Sequence, residues 1–222
     1  MIKKYEFTEE TKVICGRKLH KIRALRDFND VKAGDLGGFI EKEENLSHEG
    51  NCWIYNNAKI CGCARIYGNA RITGNAVISG NAVIYGNAVI YGNAVIYGNA
   101  KIHGNAVIYG NARITGNAVI TGNAVIYGNA EIYGNAVIYN GKWAKSPLYI
   151  QGTKWAFYVS SENTITTGCQ IHTFEEWQKN YKQIAEEHDG LEVLTEYIRY
   201  FNLACEMYGK EEYKIDLKEE AA

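Results

Sequence analysis

Between Asn51 and Asn140 an isoleucine recurs at every sixth position, fifteen times from Ile54 to Ile138. Around it the chain reads I-[YTSH]-G-N-A-[VKRE], with departures in the first units, at Asn56-Asn57 and at Cys61-Gly62-Cys63, and after Ile138, where the repeat stops at Asn140. A period of six does not fit the 3.6-residue turn of an α-helix, so each unit is predicted to be a short strand followed by a corner. Ala and Ile stand two positions apart and therefore face the same side of the strand. That side is the interior, since Ala leaves room for a tight bend and Ile fills the space. Gly-Asn makes the corner, both residues tolerating left-handed backbone angles. The residues flanking Ile then point outward. Self-similarity at a fixed short period is the pattern of a parallel β-helix.

The flanks follow other patterns. In residues 1–50 the stretch TKVICGRKLHKIRAL alternates as two strands about a Gly16-Arg17 turn, a hairpin that leads into a cap for the first coil. After Asn140 three strands are predicted at Leu148–Ile150, Trp155–Val159 and Thr164–Ile171. Thr173 with Glu176 three residues on forms a capping box. It opens a helix whose apolar stripe is Phe174, Trp177, Tyr181 and Ile184. A second amphipathic helix runs from Leu191 to Tyr208, carries Leu191, Leu194, Ile198, Phe201 and Cys205 on one side, and stops at Gly209. The predicted domains are thus 1–50, 51–140 and 141–222.

The six-residue unit resembles the hexapeptide-repeat family, whose members form left-handed, three-sided coils of three hexads. Upstream, Phe28-Asn29-Asp30-Val31-Lys32-Ala33-Gly34, Gly37-Gly38, Gly50 and Cys52-Trp53-Ile54-Tyr55 resemble the YdcK family of bacterial hexapeptide-repeat proteins and short phage proteins of the same build. This likeness covers roughly residues 20–140, and the family has no established reaction to lend. It implies a mainly β chain: a left-handed parallel β-helix of five coils from fifteen hexads, an N-terminal β cap, and a C-terminal segment of strands plus two helices.

Composition narrows the functional classes. Residues 1–50 are neutral, residues 51–140 carry a net +4 and residues 141–222 a net −5, giving the overall −1. No segment is basic enough to argue for nucleic acid. No apolar run approaches the length of a membrane span. The N-terminal MIKKYEFTEETK has acids where a secretion signal has its apolar core. The six cysteines lack disulfide-framework spacing. The expectation is a cytoplasmic protein with reduced thiols.

With three hexads per coil, residues eighteen apart stack on one face. One face presents Trp53/Tyr55, Arg71/Thr73, Val89/Tyr91, Val107/Tyr109 and Val125/Tyr127. An apolar strip of this kind marks an interface, its cover being either a second copy of the chain or the chain's own C-terminal helices. The hexapeptide resemblance favours the former and implies a homotrimer of parallel prisms. Arg113 and Glu131 are predicted neighbours on a second face. Arg65, Arg71 and Arg113 interleave with tyrosines on a tract whose single acid is Glu131, which makes Tyr91, Tyr109, Tyr127 and these arginines the candidate interface and ligand residues for a small anionic molecule. The phage likeness adds a second role, sequestering such a ligand or blocking a host protein.

The superfamily resemblance also implies acyl transfer from acetyl-CoA with a histidine base. His103 is the one histidine in the repeat, and the uninterrupted units leave no loop to build a substrate pocket. Cys61 and Cys63 have no matching second pair for a zinc site, and neither is expected in the core. The sequence therefore points first to a non-catalytic, self-associating binding protein without cofactor or metal. An acyltransferase using His103 and a purely structural spacer are the alternatives.

Overall fold

A computed structural model describes residues 2–188 and 190–217. The chain forms two compact units that divide between Ser146 and Pro147.

The first unit is a parallel β-solenoid of three sheets. Each hexad contributes a two-residue strand, such as Val89–Ile90, that pairs in parallel with the strands eighteen residues before and after it, Arg71–Ile72 and Val107–Ile108. Three backbone bonds per side tie successive coils: Val89 N–H to Ala106 O, Tyr91 N–H to Ile108 O and Asn93 N–H to Gly110 O, each 2.8–2.9 Å long. The repeat Ile and Ala side chains are sealed inside, none more than 1% exposed. They stack Ile on Ile and Ala on Ala, so each coil buries its apolar side against its neighbours.

The corners divide their work between the two residues assigned to them. Gly takes the left-handed backbone angle at each turn, as at Gly92 with φ +73°, and a Cβ there would lie 2.9 Å from Gly110 N. Asn does not take that angle in the repeat turns; Asn56, in the aberrant first turn, is the exception. Its amide instead bonds the Asn of the next coil. Three such ladders run along the prism, one per corner, for example Asn69 to Asn87 to Asn105 and Asn75 to Asn93 to Asn111 at 3.0–3.2 Å.

The solenoid has six coils, one more than the fifteen hexads supply. The strand Leu36–Ile40 and a bridge at Leu46 join Trp53–Ile54 to make the first coil, and Lys142–Trp143 completes the last. Neither end carries the I-x-G-N-A signature. Leu36–Ile40 pairs parallel to Lys59–Ile60 on one edge and antiparallel to Arg17–Ala24 on the other. The hairpin Tyr5–Ile14/Arg17–Ala24 thereby continues one sheet and covers its open edge. Its turn is at Cys15-Gly16, both with positive φ, one residue earlier than predicted and in keeping with the twist of a two-residue hairpin. Gly37 and Gly38 lie where the cap meets the first coil; a Cβ on Gly37 would be 2.7 Å from Ile54 O.

The cap changes the exposure of residues predicted to face outward. Trp53 is buried against Phe28 and Tyr5. Cys61, expected at the surface, is buried because the hairpin's Leu19 and Ile14 pack over it with Phe39. Beneath the cap the ammonium of Lys4 is enclosed and donates to the carbonyls of Cys52, Glu49 and Gly50. At the far end the Trp143 indole is buried and donates to Asn140 O.

The second unit is a four-stranded antiparallel sheet, Tyr149–Gln151, Ala156–Ser161, Thr164–Thr167 and Gln170–Thr173, with two helices, α1 (Phe174–Glu187) and α2 (Leu194–Met207). The single strand predicted over 164–171 is a hairpin, broken at Gly168, which has φ +60°. The Thr173 capping box opens α1 as predicted. Leu191 falls in a short 3-10 turn before α2 and is 55% exposed, so it is not part of the apolar stripe. The helix ends in a Schellman arrangement about Gly209, with Lys210 N–H reaching Cys205 O.

Candidate interaction surface

Register fixes what the outer surface of the solenoid displays. Strands stack with the spacing of a sheet, so identical outward residues on one face must lie about 4.8 Å apart. Tyr91, Tyr109 and Tyr127 form such a row. The first pair of rings is parallel at a centroid distance of 4.8 Å, the second inclined by 12° at 5.3 Å. Val89, Val107 and Val125 stand beside them, directly paired along the same sheet and half-buried by their own neighbours. The result is a flat strip of aliphatic and aromatic side chains, Tyr91 being 36% exposed. Stacking has already removed much of the ring freedom that docking would otherwise cost.

A second aromatic row occupies another face: Tyr67 stacks on Tyr85 at 4.9 Å, and Tyr85 on His103 at 4.7 Å. His103 Nδ1 is also 2.9 Å from the Thr121 hydroxyl on the next coil. Burial, with Lys101 beside it, holds the imidazole below its ordinary pKa, so it is neutral at pH 7. His103 is thus a member of a ladder, filling the same slot as the tyrosines above it.

The three arginines stand on three different sheets. Arg71 donates twice to Asp30, at 2.7 and 3.0 Å, and lies 5.0 Å over the Tyr55 ring, while Tyr55 donates to the same carboxylate at 2.8 Å. Burial opposes ionisation of Asp30, but the bonds from Arg71 and Tyr55 outweigh it and hold the carboxyl below its ordinary pKa. Arg113 is paired with Glu131 in register and forms an exposed ion pair with it at 3.8 Å. Arg65 borders a shallow depression that also contains Glu43, Glu44 and Glu49. The arginines therefore do not converge on one anion. Asp30, which fixes Arg71 and Tyr55, was not singled out as a site residue; its only signal was its place in the Phe28–Gly34 stretch.

All six cysteines are free. Among the described residues no cluster of His, Cys, Asp or Glu is placed to hold a metal ion, and no helix is long and apolar enough to cross a membrane.

The model of the YdcK beta solenoid repeat matches residues 64–80, 78–92, 82–98 and 106–122. The repeat tract is YdcK-like. The chain is also 43% identical over 67 residues to the uncharacterized acetyltransferase YdcK of Escherichia coli strain K12, a match covering 27% of this chain and 21% of that protein. The chain thus spans about a fifth of that relative's length. The YdcK-like segments lie on the central coils, and the Val/Tyr strip runs through them from Val89 to Tyr109.

Proposed function

We propose that this protein is a non-catalytic, self-associating β-solenoid that uses the face bearing Tyr91, Tyr109 and Tyr127 to bind further copies of itself. The carrying observation is the row of three stacked rings flanked by three valines, a flat apolar strip already ordered before any partner arrives. A homotrimer is the stoichiometry that the hexapeptide resemblance implies. In this reading the assembly presents its remaining faces for binding, and the protein acts by occupancy and not by turnover.

The printed name of the YdcK relative favours a second reading, an acetyl-CoA-dependent acyltransferase with His103 as base. Neutral His103 has the protonation state of a base. Its ring, however, is stacked and hydrogen-bonded within a ladder, on a prism whose corners from Gly62 to Gly134 are uniform two-residue turns.

Sedimentation velocity on the wild-type chain and on Val107→Lys tests the interface. The charge falls in the middle of the strip without touching the core, so the variant is expected to sediment as a monomer at concentrations where the wild type is associated, with an unchanged circular dichroism spectrum. A variant that associates as the wild type does would place the interface elsewhere.

A further inference from the structure

The unit beginning at Pro147 contains a cavity of about 180 Å³ between the hairpin at Gly168 and the helices. Its walls are aromatic: Trp155, Trp177, Tyr181 and Tyr197 supply rings, while Thr167 and Gln170 supply polar groups. For comparison, an apolar cavity of about 150 Å³ takes up benzene. The space therefore suits a molecule of one or two rings.

The walls are built and held. Trp155 is clasped between two glycines, since a Cβ on Gly168 would lie 3.0 Å from Trp155 Cδ1 and one on Gly190 3.0 Å from Cζ3. Its backbone N–H donates to the Tyr197 hydroxyl at 2.6 Å, and that hydroxyl donates back to the Trp155 carbonyl at 2.7 Å. A site fixed in this way loses little freedom on binding.

Two polar atoms of wall residues, Thr167 Oγ1 and Trp177 Nε1, are buried without a hydrogen-bond partner. Trp177 is 3% exposed, and neither atom has surface open to the cavity, so neither selects a guest there. Unmatched buried donors are unfavourable and uncommon.

Charge selects among ligands. Among the described lining residues there is no Lys, Arg, Asp or Glu, and the one basic side chain is His188, so an anion would have at most a single imidazole as counter-charge. The aromatic faces are not free for a cation either. The Lys154 ammonium sits 4.9 Å from the Trp155 ring centroid, held there by Glu192 at 2.7 Å, and Lys182 sits 5.8 Å from that of Tyr181. A cationic guest would compete with Lys182 at Tyr181 and with the Lys154–Glu192 pair at Trp155 for the ring faces.

We infer that this cavity is a binding site for one neutral, planar aromatic molecule of one or two rings. The site is separate from the solenoid strip and does not depend on self-association.

The test uses the full chain with quinoline as probe, choline as the cationic control and inorganic phosphate as the anionic one. Cys169, exposed and lining the cavity, supplies a local reporter. Quinoline is expected to quench tryptophan fluorescence saturably and to slow alkylation of Cys169 by about tenfold, leaving the exposed Cys15 and Cys63 at their original rates. Choline and phosphate are expected to do neither. Ile184→Trp, which fills the cavity from α1, is expected to weaken quinoline binding by at least about tenfold. Unsaturable quenching, unchanged Cys169 alkylation in the wild type, equal protection by choline, or undiminished binding in a folded Ile184→Trp protein would each overturn the proposal. The wild-type alkylation decides the matter even if the variant does not fold.

Discussion

Gly92 and Asn93 are adjacent corner residues with different duties, and substitution separates them. Alanine at Gly92 must adopt φ near +73° and bring its Cβ to 2.9 Å from the next coil's backbone. Left-handed backbone alone costs about 1–2 kcal/mol for an L-residue, and the collision adds to it. Alanine at Asn93 removes two exposed amide bonds, to Asn75 and Asn111, a loss of about 1 kcal/mol. Denaturant unfolding is expected to rank Gly92→Ala well below Asn93→Ala; equal losses would mean that the corner is held by the ladder and not by backbone geometry. The role of Gly was legible in sequence because it follows from the residue's own conformational freedom. The Asn ladder was not, because its partner is eighteen residues away and visible only once the coil length is fixed. Still longer separations in sequence hid Arg71 from Asp30, forty-one residues apart, and Lys4 from Cys52, forty-eight apart.

At the scale of elements, the repeat was readable wherever I-x-G-N-A persists and unreadable where the same coil is made by other residues. Leu36–Ile40, Leu46 and Lys142–Trp143 build coil sides without the signature, which is why five coils were expected and six are found. A coil mainly touches the coils above and below it. Deleting residues 69–86 joins Gly68 to Asn87 in phase and spares the Val/Tyr strip. The shortened protein is expected to unfold cooperatively, at a melting temperature a few degrees lower, and to keep its association state. Loss of cooperative unfolding would show that the coils are not interchangeable.

The N-terminal cap differs from the central coils in its use of charge. Glu41 accepts a 2.6 Å bond from the Gly62 N–H and pairs with Arg17, and these bonds, the backbone bond first, hold its pKa below the usual 4.5 despite partial burial. Asp30 is likewise held below 3.8 by Arg71 and Tyr55 against its desolvation. A carboxylate with a depressed folded pKa adds stability that is complete above its unfolded pKa and is lost as pH falls through the folded value. Hydrogen exchange is therefore expected to show Arg17–Ile40 losing protection between pH 5 and pH 3, while Val77–Ile126, a stretch without any carboxylate, keeps its own. Equal loss in both regions would contradict the assignment.

For the whole molecule, the fold was largely present in the period-six pattern, whereas the site was present only in outline. The faces, the Tyr91–Tyr109–Tyr127 row and the Arg113–Glu131 pairing follow from counting by eighteen. What the arginines do with their charge, and that His103 stacks on Tyr85, needed atomic positions. The central claim is that the ordered Val/Tyr face joins copies of the chain in a protein without acetyl transfer. Native mass spectrometry of the wild-type protein with and without acetyl-CoA tests it most directly. The account predicts an oligomer, three chains by the hexapeptide resemblance, whose mass is unchanged by acetyl-CoA. A monomer at all concentrations would contradict the interface, and an oligomer that gains one acetyl-CoA per chain would favour the enzyme reading.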